Sequence, residues 1–125
     1  MIVIRKRIIM LTPLGKQIRK YRLDKEIILS QLAHELDVSS AYLSSIETGK
    51  RNISSDLIEK MISFFELDQS EAEHLRDLAV QSQHTIKLPL DNASNSSREL
   101  VAAFARNFSS LTPDQVNKIK KILEK

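Results

Sequence analysis

The chain has 125 residues, of which 42% are hydrophobic and 28% charged, and it contains no cysteine and no tryptophan. This length suits one small domain with an appendage, and the apolar fraction is sufficient for a folded core. Without cysteine, disulfides, thiolate zinc sites and cysteine nucleophiles are excluded. Two glycines and three prolines favour helices over a β fold with many turns.

The net charge of +3 conceals a strong segregation along the chain. Residues 1–25 hold eight basic residues and one acidic residue, whereas residues 26–48 hold four acidic residues and neither Lys nor Arg. A modest average of this kind can hide a basic face, which is the electrostatic footprint of nucleic-acid binding. No apolar run is long enough to span a membrane.

Residues 1–11 are predicted to form an N-terminal arm or strand. The segment is apolar, but Arg5, Lys6 and Arg7 lie in its middle, which does not fit a signal peptide. Three interpretations stay open: a strand paired with residues 85–90, a disordered basic arm, or an upstream start with Met10 as the true first residue.

Five helices are predicted within a domain of residues 12–80. The first begins at Thr12-Pro13, because threonine caps helices and proline fits the first helical position. The third begins after Ser39 and ends at Gly49. The fourth helix is predicted to begin at Ser54. The fifth is predicted to begin at Ser70, which forms a capping box with Glu73. Apolar residues recur at helical spacing throughout, beginning with Leu14, Ile18 and Tyr21.

Residues 81–96 are predicted to be a linker, and residues 97–125 a helical extension. Within the linker, the alternation of Ile86, Leu88 and Leu90 permits a short strand, confined by Pro89 to a sheet edge. Capping boxes predict two further helices, and the residues that form these boxes are Ser96 with Glu99 and Thr112 with Gln115.

The apolar stripes of these two helices need a partner surface. The residues that form the stripes are Leu100, Val101, Phe104, Phe108, Val116, Ile119, Ile122 and Leu123. Helices this short are not stable alone in water, so they dock on the same chain or pair with a second chain. We favour dimerisation through this extension.

The segment LSQLAHELDVSSAYLSSIETGK, residues 29–50, predicts a helix, a tight turn and a second helix. Ala33 is small enough for the two helices to approach closely, and Val38 and Ile46 are expected to point into the core. Small polar residues cover the exposed side of the second helix, namely Ser40, Ala41, Ser44 and Ser45. A helix that enters the major groove needs such a face.

Residues 13–67 resemble the helix-turn-helix DNA-binding domain of the phage Cro and repressor type, also called XRE-like. The pattern ELAxxLxVSxxYLSxIExGKRxxS, common in that family, is matched by QLAHELDVSSAYLSSIETGKRNIS at residues 31–54. The resemblance implies an all-α fold with a five-helix, lambda-repressor-like DNA-binding domain, to which this chain adds a two-helix extension. The implied partner is double-stranded DNA.

The resemblance also implies roles for individual residues. Arg22 and Glu47 match an ion pair that holds the first helix against the reading helix, a structural role. The implied base-reading positions are Ser40, Ala41 and Ser45, followed by Tyr42 and Ser44, and the implied phosphate loop is Lys50, Arg51 and Asn52. The complete predicted DNA-binding set is Ser30, Gln31, Ser39, Ser40, Ala41, Tyr42, Ser44, Ser45, Thr48, Lys50, Arg51 and Asn52.

The sequence departs from the family pattern in two ways. Ile28 and Leu29 stand where the family often has a capping Thr or Ser followed by a phosphate-binding Gln, and Ser30 and Gln31 are the candidates to replace them. Glu26 stands where the family usually has Gly, so either the connecting turn is tighter or the first helix is longer.

The reading face lacks Arg, Asn and Gln, the side chains that make bidentate contacts to guanine and adenine. We therefore expect modest direct readout per half-site. Specificity then requires a dimer, loop residues such as Asn52, or sequence-dependent DNA deformability.

The chain is predicted to be a homodimeric transcriptional regulator, more specifically a repressor. It is predicted to be cytoplasmic and of bacterial or phage origin. The alternative is an antitoxin-type interaction module in which residues 81–125 bind a protein partner. Weaker alternatives are a helical hairpin of any α domain and a helix-turn-helix that binds protein. No enzyme, cofactor or metal site is expected, because His34, His74 and His84 lack metal-ligand spacing and no nucleophile motif is present.

Overall fold

The structure, a computed structural model, describes residues 11–124 of the chain. Over this range it contains seven α-helices and no strand. The elements are α1 (Pro13–Asp24), α2 (Leu29–Glu35), α3 (Ser40–Glu47), α4 (Ser55–Phe64), α5 (Gln69–Gln81), α6 (Asn95–Asn107), a short 3-10 helix (Phe108–Ser110) and α7 (Pro113–Leu123). The predicted all-α fold, with five helices followed by two, is confirmed.

The chain divides into two compact units, Met1–Ile86 and Lys87–Lys125. Helices α1 to α5 belong to the first unit, and α6 and α7 belong to the second. The division falls inside residues 81–96, the segment predicted to be a linker. The predictions for an N-terminal arm and for a start at Met10 fall on residues that lie almost entirely outside the described range.

Most helix starts follow the local sequence. At the start of α1, the Thr12 hydroxyl accepts a hydrogen bond from the Gly15 N–H at 3.0 Å, and Pro13 takes the first helical position. Such caps satisfy backbone donors that have no partner inside the helix. The predicted caps that the structure contains are Thr12, Ser39, Ser54 and the Thr112–Gln115 box.

Two predicted capping boxes are wrong. Helix α5 begins two residues earlier than Ser70 and Glu73 imply, because the Asp68 carboxylate accepts from the Glu71 N–H at 2.8 Å and the Glu71 side chain accepts from the Asp68 N–H. Aspartate caps as well as serine does, so the earlier candidate starts the helix. Helix α6 likewise begins after Ser94, two residues before the predicted cap at Ser96.

The strand predicted over residues 85–90 is also wrong. Residues 86–90 have no regular structure, and Ile86 and Leu88 are mostly exposed to solvent. An alternating pattern makes a strand only where a neighbouring strand supplies hydrogen bonds, and residues 11–124 offer none.

Left-handed backbone conformations end four of the helices. Glu26, Asp37 and Glu66 have φ angles of 55°, 59° and 52°, and Gly49 has a φ of 77°. A residue of this conformation after a helix releases the chain from the helical path. Glu26 therefore adopts a left-handed conformation that glycine adopts more readily, and α1 ends at Asp24 rather than being extended.

Side chains from α1 to α5 meet in one core. Ala33 and Ile46 are both 1% exposed, and Val38 packs against the core from the turn, as predicted. The Tyr21 and Phe65 rings lie 5.3 Å apart, and burial raises the pKa of Tyr21. The buried cluster comprises Leu14, Ile18, Tyr21, Leu32, Ala33, Leu36, Leu43, Ile46, Ile53, Leu57, Ile58, Met61, Phe65, Leu75, Leu78 and Ala79.

A surface ion pair joins α4 to α5. Arg76 donates two hydrogen bonds to the Glu59 carboxylate, at 2.9 and 2.8 Å, and these bonds lower the pKa of Glu59. Both side chains are about half exposed, so the pair fixes orientation more than it stabilises the fold.

The second unit has no buried side chain in either helix. Most of its large apolar side chains are exposed, and the Phe104 ring of α6 lies 5.5 Å from the Phe108 ring of the 3-10 helix. The exposed apolar residues of this unit are Leu88, Leu100, Phe104, Phe108, Val116, Ile122 and Leu123.

Candidate nucleic-acid interface

Helix α3 has one buried side and one exposed side. Leu43 and Ile46 are almost fully buried, whereas Ser40, Ala41 and Ser44 are exposed. The exposed side chains are small and uncharged, so the backbone of α3 can approach another surface closely. This arrangement matches the requirement for a helix that lies in the major groove.

Two hydroxyls of the predicted DNA-binding set donate to backbone carbonyls of α3. The Ser45 hydroxyl donates to the Tyr42 carbonyl at 2.6 Å, and the Thr48 hydroxyl donates to the Ser44 carbonyl at 3.1 Å. Both side chains are half-buried. In this arrangement the two oxygens can still accept hydrogen bonds, so they suit a base amino group better than a base carbonyl.

Ser39 and the start of α3 present donors together. The Ser39 oxygen accepts from the Tyr42 N–H at 3.0 Å, which leaves the hydroxyl hydrogen available for an outside acceptor. A DNA phosphate is such an acceptor, and helix N-termini favour anions.

The start of α2 uses Gln31 in place of a capping serine or threonine. Ile28 occupies the cap position and its side chain has no hydrogen-bonding atom, but the Ile28 N–H donates to the Gln31 Oε1 at 2.8 Å. Ser30 and Gln31 are both exposed. Because only the amide oxygen of Gln31 is engaged, its NH₂ group can donate to a phosphate.

Residues 49–52, here called the basic loop, follow α3 directly. Lys50 and Arg51 are exposed, and both of their backbone N–H groups donate to the Ser45 carbonyl, at 2.8 and 3.2 Å. The Arg51 guanidinium lies 5.9 Å from the centre of the Tyr42 ring, within cation–π range. The loop therefore holds two cations beside the exposed end of α3.

The structure contains the ion pair between Arg22 and Glu47. Arg22 Nε lies 3.1 Å from one Glu47 oxygen and Arg22 Nη2 lies 3.2 Å from the other, a bidentate geometry. The two side chains are only 12% and 6% exposed. The Glu47 carbonyl also accepts from the Thr12 N–H at 3.1 Å, so α1 holds the end of α3 at two places.

Two residues that matter for this geometry were given no role in it from the sequence. Gly15 lies so close to α3 that a Cβ atom there would overlap the Glu47 backbone. The sequence does indicate such a role for Gly15, because a glycine inside a helix usually has a packing reason. His84 donates from its backbone N–H to the Asn52 side chain, and its ring contacts the Gly49 carbonyl. No sequence pattern indicates this pairing.

Over residues 11–124, no cluster of three or more His, Asp or Glu side chains is arranged to hold a metal ion. No helix in the same range combines the length and apolar character needed to cross a bilayer.

Comparison with known proteins identifies one region. Residues 18–68 match the protein-family model described as helix-turn-helix. This match contains α2, α3, the basic loop and α4. No curated protein and no solved structure gives a significant match.

Proposed function

We propose that this chain, whose residues 18–68 match the helix-turn-helix family model, is a homodimeric transcriptional repressor that reads paired DNA half-sites through α3. The observation that carries the proposal is the exposed face of α3. Ser40, Ala41 and Ser44 lie on this face, and the opposite face of the helix is buried in the core. Families of this kind are DNA-binding transcriptional regulators, so the partner is double-stranded DNA.

Base readout by this face is modest. Serine hydroxyls form single hydrogen bonds with base edges, and the Ala41 methyl suits contact with a thymine methyl. Specificity therefore rests on two copies of α3 placed about one helical turn of DNA apart. DNA deformability at base pairs between the half-sites adds to it.

Backbone contacts come from residues around α3. Lys50 and Arg51 supply charge, while Ser39, Ser30 and Gln31 supply uncharged donors. Each neutralised phosphate releases counterions, so the affinity falls steeply as salt rises. These contacts set the register of the protein on DNA without reading sequence.

The remaining parts of the proposal follow from this role. A repressor of this design acts by occupying DNA and needs no cofactor and no catalytic centre. We place it in the cytoplasm of a bacterium, or in a phage-infected cell, because that is where this family regulates transcription.

One observation supports a second candidate, an antitoxin-type module that binds a protein partner through residues 81–125. The second unit buries none of its helical side chains, and Leu100, Phe104 and Phe108 are exposed. In that case the helix-turn-helix regulates its own operon. A small toxin-like gene next to this one would favour the second candidate.

A selection of bound sequences from random DNA tests the main proposal. We expect a two-fold symmetric site with two half-sites about 10 base pairs apart, or a multiple of that spacing. An asymmetric site would contradict the homodimer, and recovery of no sequence at low salt would contradict DNA binding.

A substitution on α3 then tests which face reads the DNA. Ser44→Leu places a bulky side chain between α3 and the groove, so we expect affinity for the selected site to fall roughly 10–100-fold, comparable to losing one good base contact. Ser63→Leu is the matched control, because Ser63 is an exposed serine on α4. Equal binding by Ser44→Leu and the unmodified protein in a gel-shift titration would remove α3 from the interface.

A further inference from the structure

We propose that His84, which lies outside the matched residues 18–68, is a positioning residue that holds the basic loop in the conformation that meets the DNA backbone. This inference rests on the proposed function. It starts from two hydrogen bonds: the His84 N–H donates to Asn52 Oδ1 at 3.3 Å, and the His84 Nε2 lies 2.8 Å from the Gly49 carbonyl oxygen. We call this pair of contacts the His84 clamp.

The clamp grips the basic loop at both of its ends. Gly49 precedes Lys50, and Asn52 follows Arg51, so the two exposed cations stand between the two contact points. His84 comes three residues after the end of α5, which packs against α1 and α4 in the same unit. The loop is therefore tied to a rigid part of the first unit.

The chemistry of the contact identifies the ring nitrogen that carries hydrogen. A carbonyl oxygen can only accept, so Nε2 of His84 is the donor. Neutral histidine with hydrogen on Nε2 and the imidazolium ion both satisfy this requirement. The clamp therefore does not depend on a charge on His84.

The basic loop is tied to α3 by its own backbone bonds and to residue 84 by the His84 clamp. The N–H groups of Lys50 and Arg51 both donate to the Ser45 carbonyl, which ties the loop to α3. Gly49 has a φ of 77°, and a Cβ there would lie 2.5 Å from the Thr12 Cγ2, so the chain turns in a confined space. His84 supplies a further tie, from the segment that follows α5.

A fixed loop binds DNA more tightly than a mobile one. Ordering a loop and its long side chains on binding costs free energy, and a loop already in its bound conformation avoids that cost. Because Lys50 and Arg51 are suited to phosphate contacts, the gain applies to every DNA sequence alike. Loss of the clamp should thus weaken specific and non-specific binding by the same factor.

The test compares three variants of the full chain. His84→Ala removes the contact to Gly49, and we expect affinity to fall about fivefold, the equivalent of one net hydrogen bond. The fall should be equal on the selected site and on random DNA. His84→Gln retains a side-chain N–H donor and should recover most of the affinity. His74→Ala is the matched control, because His74 is an exposed histidine on α5.

Amide hydrogen exchange in the free protein provides a readout that does not involve DNA. Exchange at Lys50 and Arg51 should accelerate in His84→Ala and not in His74→Ala, with the thermal midpoint of unfolding unchanged. Unchanged exchange and unchanged affinity in His84→Ala would overturn the inference. A loss confined to the selected site would also overturn it, since that result assigns His84 to base readout. Failure of the unmodified protein to bind any DNA would instead overturn the proposed function itself.

Discussion

Gly15 lies where the first turn of α1 crosses the last residue of α3. A Cβ at this position would come within 2.9 Å of the Glu47 Cα and closer still to its carbonyl group. The same carbonyl accepts a hydrogen bond from the Thr12 N–H, so α1 cannot move away without losing that bond. Glycine is thus required here by close approach and not by its backbone freedom, since Gly15 is helical.

Gly15→Ala should therefore destabilise the protein by about 1–3 kcal/mol, the usual cost of overpacking. The effect opposes the better helix propensity of alanine, worth about 1 kcal/mol. Urea unfolding followed by circular dichroism measures it. Lys20→Ala, at an exposed position of α1, should stay within about 0.5 kcal/mol of the unmodified protein. Equal stability for Gly15→Ala would show that α1 shifts without cost.

The Arg22–Glu47 pair supports the same crossing through charge. Removing one partner leaves the other charge buried, so Arg22→Ala should lower the free energy of unfolding by about 3–5 kcal/mol. The double variant Arg22→Met with Glu47→Leu should recover most of that loss, because it strands no charge. Denaturant titration of both variants provides the comparison. A double variant no more stable than Arg22→Ala would contradict this account.

At the scale of the elements, the turn between α1 and α2 carries backbone strain. Glu26 has a φ of 55°, a conformation that costs residues with a Cβ about 1–2 kcal/mol. Its side chain is exposed, so nothing in the core requires glutamate there. The sequence pattern marked this position as unusual, but the left-handed conformation became evident only from the structure.

Glu26→Gly should stabilise the protein by roughly 0.5–1 kcal/mol, because glycine relieves the strain but has more freedom in the unfolded chain. The neighbouring substitution Lys25→Gly is the control, since Lys25 has a φ of −91° and gains nothing from glycine. Thermal unfolding of the two variants should give midpoints that move in opposite directions. A lower midpoint for Glu26→Gly would contradict the strain.

Local signals predicted several helix starts. Thr12 and Ser39 each precede an apolar pattern of helical spacing, and both cap their helices. Before α5, however, Asp68 with Glu71 and Ser70 with Glu73 both satisfy the capping-box spacing, and they overlap by two residues. The spacing alone does not choose between such overlapping boxes, and the structure has the earlier one, at Asp68 and Glu71.

The candidate site also has a part that the sequence predicts and a part that it does not. Helical periodicity suffices to place Ser40, Ala41 and Ser44 on one exposed face, and the structure has them there. The contacts of His84 with the basic loop join residues more than thirty positions apart in the sequence. Contacts of that range depend on how α5 lies against the first unit, which no local pattern encodes.

At the scale of the whole molecule, the second unit is distinguished by what it leaves exposed. Leu100 and Phe104 on α6, and Phe108 directly after it, have 69%, 44% and 64% of their surfaces exposed. Each large apolar side chain gains about 1.5–3 kcal/mol when it is fully buried. Two copies of this chain paired through α6 would gain several such contributions, which supports the proposed homodimer.

Phe104→Asp tests this pairing, since it places a charge in the middle of the apolar face. We expect sedimentation to show a monomer, and affinity for a paired site to fall by roughly 100-fold, because the second α3 no longer binds at high effective concentration. Affinity for a single half-site should not change, since α3 belongs to the other unit. Ala102→Asp, an exposed position of α6, adds the same charge and should leave the dimer intact. A dimer that persists in Phe104→Asp would remove this face from self-association and favour a different protein as its partner.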